Sequence, residues 1–351
     1  MIALREPDPC LRDFLRNQRL VGRDDEAVWA PLAGGVSSDI WRVDLPQGSL
    51  CIKRALPQLK VAQPWNAPIE RNAYEWAWIE FAAAHCPQAV PEPIASDPVQ
   101  GVFAMRFLAP ERYPVWKQLL LDGIAQPGIA AQVGAIIAQL HAASAGDAGV
   151  ERRFATDAIF HAIRLEPYLL ATGFVHPDLA PRLRALAERT AATRLALIHG
   201  DVSPKNILLG PQGPVFLDAE CAWYGDPAFD AAFCLNHFLL KCVARPRSTD
   251  DYLECFDAFA AAYRAGVTWE PRAAIESRIA SLLPALFLAR VDGKSPVEYI
   301  TEERDRRLVR ETARPLVADP PQRVADVSSH WRNALIAARQ RERNHAPTEQ
   351  G

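Results

Sequence analysis

Residues 195–230 carry His199, Asp201, Asn206, Asp218, Glu220, Asp226 and Asp230 within a largely apolar stretch. Burying carboxylates is costly unless something pairs with them, so this density of acids calls for a purpose. Asp201 follows the apolar run LALI and opens a loop, where a carboxylate can orient a hydroxyl and accept its proton. Asn206 comes just ahead of a second apolar run, ILL. After the turn GPQGP, the run VFL delivers Asp218, and extended geometry points Glu220 the same way. Asn206, Asp218 and Glu220 are hard oxygen donors that suit Mg2+, an ion held by few protein ligands plus substrate phosphates. Singly, such residues are most often caps and turn formers. As an ordered set they fit phosphoryl transfer, in which catalysis is mainly positioning and charge stabilisation.

The N-terminal part offers the remaining pieces. In LAGGVSSDIWRV, Gly34 and Gly35 let backbone N–H groups approach phosphates, and Ser37 and Ser38 add hydroxyl donors; the same residues also suit a plain hairpin. Lys53 sits in the apolar run LCIKRAL of a chain with six lysines and 33 arginines. A lysine where arginine is the default points to a compact charge for phosphates. Its carboxylate partner should come from the helix over 68–85, which carries Glu70, Glu75 and Glu80. Glu75, among Tyr74, Trp78 and Ile79, is best placed to face a sheet.

The elements that must hold these residues follow from period and punctuation. Residues 10–20 read as an amphipathic helix. AVWAPL, DIWRVDL and SLCIKRAL, separated by AGGVSS and PQG, read as a β-meander. Pro68 suits the first turn of its helix, and residues 91–108 read as two further strands. Beyond Leu108, helices are expected over 113–145, 155–171 and 177–193. Short strands and loops then carry the acids, and helices resume over 227–340. The expected fold is α+β and bilobal: a mostly β N-lobe over 1–108, a mostly α C-lobe over 109–341, and a polar frayed tail from 342.

With 351 residues, 49% of them hydrophobic, the chain is long enough for two lobes. A net charge of -3 and a pI near 6.3 exclude a basic nucleic-acid binder. Seven cysteines without Cys-x-x-Cys spacing suit free thiols in a reducing compartment. The first residues lack a signal-peptide pattern, and no run approaches the ~20 apolar residues of a membrane span. A cytoplasmic protein with neither nucleic-acid nor membrane partners is expected.

Together these residues resemble the aminoglycoside phosphotransferase/choline kinase superfamily, whose fold is protein-kinase-like. Within it they are most similar to the methylthioribose kinases, through DAECAWYGDPAFD, through the series Lys53, Trp65, Arg71 and Glu75, and through MRFLAP with WKQLLLDG. The resemblance covers roughly residues 28–310. It implies an ATP- and Mg2+-dependent kinase that moves the γ-phosphate to a hydroxyl of a small, sugar-like acceptor. Asp201 would be the catalytic acid, and Asp218, Glu220 and Asn206 the metal ligands. Lys53 with Glu75 would anchor phosphates beside Gly34, Gly35, Ser37 and Ser38. The backbone of Arg106, Phe107 and Leu108 would read adenine. His199 and Asp230 would be structural, and Arg290 and Trp223 would meet the acceptor. Asn206 is more similar to aminoglycoside and choline kinases, and Arg290 stands alone, after Ala289, where methylthioribose kinases carry paired arginines. An aminoglycoside or amino-alcohol acceptor, with acids such as Glu298, Glu302 and Glu303, is therefore the alternative. A homodimer is implied by the resemblance alone. A silent binding module would have lost a Lys, an Asp or a metal ligand, and all are present.

Overall fold

The computed structural model describes residues 6–22, 25–32, 38–56 and 70–345. The chain packs as two compact units, residues 1–115 with 206–222, and residues 116–205 with 223–351. Its strands are β1 (Val28–Pro31), β2 (Ser38–Leu45), β3 (Gly48–Ala55), β4 (Pro93–Asp97), β5 (Val102–Arg106), β6 (Ala196–Ile198), β7 (Ile207–Gly210), β8 (Gly213–Phe216) and β9 (Trp223–Gly225).

The first unit is built on an antiparallel sheet in the order β1-β2-β3-β5-β4. Lys53 lies on the central strand, opposite Ile40 of β2 and Phe103 of β5. Side chains alternate along a strand. One face therefore sends Trp41, Val43, Leu50, Ile52 and Ala104 into a core with Leu11, Phe14 and Leu15. Those three come from the helix Pro9–Asn17, whose first turn is capped by the Asp8 carboxylate on the Cys10 N–H at 3.0 Å. The other face carries Cys51 and Lys53 and meets the helix Arg71–His85, where Trp76 packs on Phe103 with ring centroids 5.7 Å apart. The expected start of this helix at Pro68 lies outside the described residues. The β7–β8 hairpin belongs to this unit because it is tied to residues 113–115. Leu208 bridges Val115, and the Leu209 N–H donates to the Pro114 carbonyl at 2.9 Å.

The second unit is mostly helical. The helix expected over 113–145 is two, Trp116–Leu121 and Pro127–Ser144, because Gly123 turns the chain with φ +84° and Pro127 starts afresh. Helix Pro127–Ser144 packs on Thr249–Gly266. At Gly134 a Cβ would come within 2.6 Å of the Phe259 carbonyl oxygen, so only glycine allows this approach. Between Asp157 and Val175 the helical chain widens into a π-turn segment over His161–Leu170, with Pro167 inside it. Helix Ala228–Ala244 is apolar nearly all round and is buried from Ala228 to Val243. Helices Arg272–Asp292, Glu303–Ala318 and Val324–His345 complete the unit, so helix runs four residues into the tail read as frayed.

All seven cysteines are free thiols, Cys10 half-buried and the others buried. Among the described residues no helix is long and apolar enough to cross a membrane.

Candidate active site

In the first unit, Lys53 is the hub. Its ammonium is 2.7 Å from Glu75 and 2.5 Å from Asp218, with Lys53 and Glu75 almost fully enclosed and Asp218 about a third exposed along its side chain. Glu75 is thus the partner among the three glutamates weighed. Arg71, 2% exposed, reaches Glu220 at 3.0 Å and the Leu56 carbonyl at 2.8 Å. Arg71 has a place in the family resemblance but no role assigned by it. In this network two cations meet three carboxylates. Burial works against the Lys53 charge, but Asp218, Glu75 and Glu220 outweigh it and hold its pKa above the usual lysine range. Burial also pushes Glu75 up to about 7; Lys53 pulls the other way, and Asp218 and Glu220 add to the rise.

The stretch after β8 departs from the extended reading. The strand ends at Phe216, the Leu217 N–H donates to the Asn206 carbonyl at 2.8 Å, and Asp218 has φ +67°. Left-handed backbone at a non-glycine residue is strained and persists where its surroundings fix it. Here the ion pair to Lys53 is such a fixture. Alternation therefore does not govern Glu220, which turns to Arg71 instead. Asn206, 6% exposed, ends a short turn directly before β7, beside the chain that leads to Asp218.

Of the segment expected to read adenine, the Arg106 N–H donates to the Glu92 carbonyl at 2.9 Å and the Phe107 N–H to the Ser49 carbonyl at 3.1 Å. Arg42 lies 4.8 Å above the Phe107 ring. Leu108 is the residue of the three whose N–H is left for that role. Ser38 is buried at the start of β2; Gly34, Gly35, Ser37 and Trp65 lie outside the described residues.

In the second unit, β6 runs straight into the loop that presents Asp201. Gly200 takes φ +76°, which turns its own N–H and that of His199 onto one carboxylate, Asp230, at 2.8 and 2.7 Å. Asp230 is fully buried and also meets His141 at 3.3 Å. The buried His199 ring accepts the Asp201 N–H at 3.1 Å. Both residues thus hold the loop in shape. Asp226, also fully buried, accepts from the Ala228 N–H at 3.0 Å and pairs with Arg278 at 3.1 Å. The Asp201 carboxylate, 3% exposed, is 2.9 Å from Arg164 and 3.2 Å from Lys205. Burial opposes its ionisation, but Arg164, Lys205 and His199 win and hold it well below the usual carboxylate range. Arg164 also donates to the Gly200 carbonyl at 2.5 Å. It comes from the π-turn segment, and such widened turns recur at functional sites. No pattern in the sequence marks Arg164.

The two residues assigned to the acceptor fare differently. Trp223 is 1% exposed, stacks on Phe160 with centroids 4.4 Å apart, and donates its indole N–H to Asp157 at 3.0 Å. Its faces are taken up by packing. Arg290, 9% exposed, donates to the Tyr168 hydroxyl at 3.2 Å and to the Ser295 hydroxyl and carbonyl. Of the acids weighed for a cationic acceptor, Glu298 is paired with Lys117 and Glu303 with Arg310.

Comparison with known proteins bears on the family and the fold. The model of the phosphotransferase enzyme family matches residues 28–241, a span that contains Lys53, Glu75, Asp201, Asn206, Asp218, Glu220 and Asp230. Methylthioribose kinase 2 of Oryza sativa subsp. japonica is 24% identical over 264 residues, 66% of this chain and 61% of that protein. The chain thus aligns with less than two thirds of the length of that relative. Among solved structures, a choline/ethanolamine kinase family protein from Mesorhizobium loti matches with TM-score 0.51 at 18% identity, over 93% of this chain and 99% of that one. An amicoumacin kinase solved with AMP-PNP and Ca2+ matches with TM-score 0.52 at 13% identity, over 89% and 95%. At these identities the structures speak for a shared kinase-like fold, a β-rich unit and a mostly helical one. The family match covers well over half of the chain, and it places the protein in the phosphotransferase enzyme family.

Proposed function

We propose that the chain is an ATP- and Mg2+-dependent kinase of a small-molecule hydroxyl. The observation that carries this reading is the Lys53 hub. A fully enclosed lysine, fixed by Glu75 at 2.7 Å and by a strained Asp218 at 2.5 Å, is an arrangement poised to exchange a carboxylate for phosphate oxygens. The donor set also fits Mg2+. Asp218 and Asn206 are neighbouring oxygen donors, and the network around them carries more carboxylates than cations, so a divalent ion would relieve it. Glu220 is held by Arg71 and would support the site through that pair. When bound, Mg2+ would neutralise the charge shared by the β- and γ-phosphates.

Asp201 would accept a hydrogen bond from the acceptor hydroxyl and align its oxygen with the γ-phosphorus. The new bond is between that oxygen and phosphorus; the bond from phosphorus to the β–γ bridging oxygen breaks, and ADP leaves. The hydroxyl proton passes to Asp201 late, once the oxygen has begun to bond. A carboxylate held ionised by Arg164 and Lys205 is a weak base, so orientation is its larger contribution. A loose phosphoryl-transfer transition state asks little of a base before that point.

A sugar-like acceptor, as in the methylthioribose kinases, is favoured over an amino alcohol or aminoglycoside. A cationic acceptor needs free carboxylates, and two of the three acids weighed for it, Glu298 and Glu303, are already paired with Lys117 and Arg310. ADP release with Mg-ATP and a panel of sugars, amino alcohols and aminoglycosides tests the proposal. Turnover dependent on both Asp201 and Asp218 supports it, and ATP binding without acceptor-dependent turnover would overturn it.

A further inference from the structure

Among the described residues of the second unit, seven buried side-chain polar atoms have no hydrogen-bond partner, and four of them form one cluster: Lys241 Nζ, His237 Nε2, Arg290 Nε and the Tyr299 hydroxyl. Lys241 is fully buried, and His237 and Arg290 are 4% and 9% exposed. They belong together. His237 and Lys241 are four residues apart on helix Ala228–Ala244 and so share a face. Lys241 Nζ lies 4.9 Å from the Tyr299 ring centroid. Arg290 sits 5.6 Å from the Tyr168 ring, Tyr168 packs on Phe233 at 5.4 Å, and Phe233 packs on His237 at 5.7 Å.

The charge here is one-sided. Glu298 is engaged by Lys117, and no carboxylate bonds to Lys241. Burial, with Lys117 next, pushes Lys241 down to about 7. Burial, with Lys241 and Arg290 adding, holds His237 well below the usual histidine range. An unpaired buried ammonium is costly, so its retention beside a second unpaired cationic donor calls for an anion. The cluster also borders the proposed catalytic loop. Arg164, which bonds Asp201, lies 5.9 and 5.8 Å from the Tyr168 and Phe233 rings. Those two rings are the layer between Asp201's partner and the cluster.

We infer that Lys241, Arg290, His237 and Tyr299 form a subsite for an anionic oxygen group, a carboxylate or a phosphate, carried by the hydroxyl acceptor. The word acceptor rests on the kinase reading; the anion rests on the donor cluster alone. Lys241 and Arg290 supply charge-assisted donors, and the Tyr299 hydroxyl adds a neutral one. A neutral sugar would leave both cations unpaired, and choline or an aminoglycoside would be repelled.

Thermal denaturation of the full chain at neutral pH and fixed ionic strength tests this, with ribose, ribonate and ribose 5-phosphate as probes. Ribonate or ribose 5-phosphate should raise Tm and ribose should not; which anion acts separates carboxylate from phosphate. The effect should persist with saturating Mg-AMP-PNP, since an anion displaced by nucleotide would mean a nucleotide subsite. Lys241→Met should weaken anion binding by about 10–100-fold, the worth of one charged hydrogen bond. Its own Tm without ligand should not fall, because the unpaired charge is gone. If Lys241→Met does not fold, Tyr299→Phe keeps the ring and should still weaken binding several-fold. Equal stabilisation by ribose, no stabilisation by either anion, displacement by AMP-PNP, or unchanged binding in the variants would each overturn the inference. Anion binding without any ATP turnover would sink the kinase reading alone. Turnover of a neutral acceptor with unchanged KM in Lys241→Met would sink the anion subsite alone.

Discussion

Replacing Glu75 by glutamine should make the protein more stable at alkaline pH while making it a poorer enzyme. Lys53 and Arg71 meet Glu75, Asp218 and Glu220, so the buried network holds one negative charge too many. Glu75 bears the consequence: burial pushes it from 4.5 up to about 7. A carboxyl raised in the folded state binds its proton there while the unfolded chain has released it. Its contribution is therefore fully present below pH 4.5 and is lost as pH rises through about 7. The loss is about 3 kcal/mol. Glutamine mimics the protonated acid and does not titrate, and Lys53 keeps Asp218. Urea unfolding of both proteins should give stabilities within about 1 kcal/mol of each other at about pH 5. At about pH 8, Glu75→Gln should be the more stable by about 2–3 kcal/mol. Taking the difference between the two proteins removes the titrations of His237 and Lys241, which both share. A variant less stable at the higher pH by the ~3–5 kcal/mol of a broken buried pair would refute the excess-charge argument.

Asp201→Asn should leave nucleotide binding intact and cut kcat by about 10²–10⁴-fold, the usual worth of a positioned base, as read by ADP release. Asp218→Ala should abolish Mg2+-dependent turnover, whereas an unchanged apparent affinity in a metal titration would remove Asp218 as a ligand. Arg164→Gln should let the Asp201 pKa rise toward the usual carboxylate range. Because turnover needs the ionised acid, the acid limb of the kcat profile should move to higher pH, and an unmoved limb would mean Arg164 does not set that charge. In a Lys53→Met and Glu75→Gln cycle the activity losses should be non-additive; simple addition would mean the two do not act as one unit.

Much of this was legible in the sequence. Lys53 stands in an apolar strand, so the two-residue period fixes its face, and Glu75 stands among large apolar helix positions that must meet a sheet. The acids announce themselves because carboxylates rarely occur in apolar runs. What stayed hidden depends on geometry that has no period. The left-handed turn at Asp218 takes Glu220 out of strand alternation. The π-turn at His161–Leu170 aims Arg164 by a winding that 3.6-residue periodicity does not describe. Trp223 looked like a ligand-facing ring, but packing and binding use tryptophan alike, and Phe160 occupies its face. Lys241 did carry a signal, a lysine inside NHFLLKCVA, where a helix apolar all round must bury it.

In the proposed reaction, Asp201 and the Lys53–Asp218 network serve one phosphoryl transfer to a small-molecule hydroxyl. The most direct test is acceptor-dependent release of ADP from Mg-ATP by the full chain, run beside Asp201→Asn and Asp218→Ala, with 31P NMR of the product. A phosphate ester on the acceptor, formed in step with ADP and lost in both variants, is the expected product. Release of inorganic phosphate that is indifferent to every acceptor, or ester formation that survives Asp201→Asn at the full rate, would contradict it.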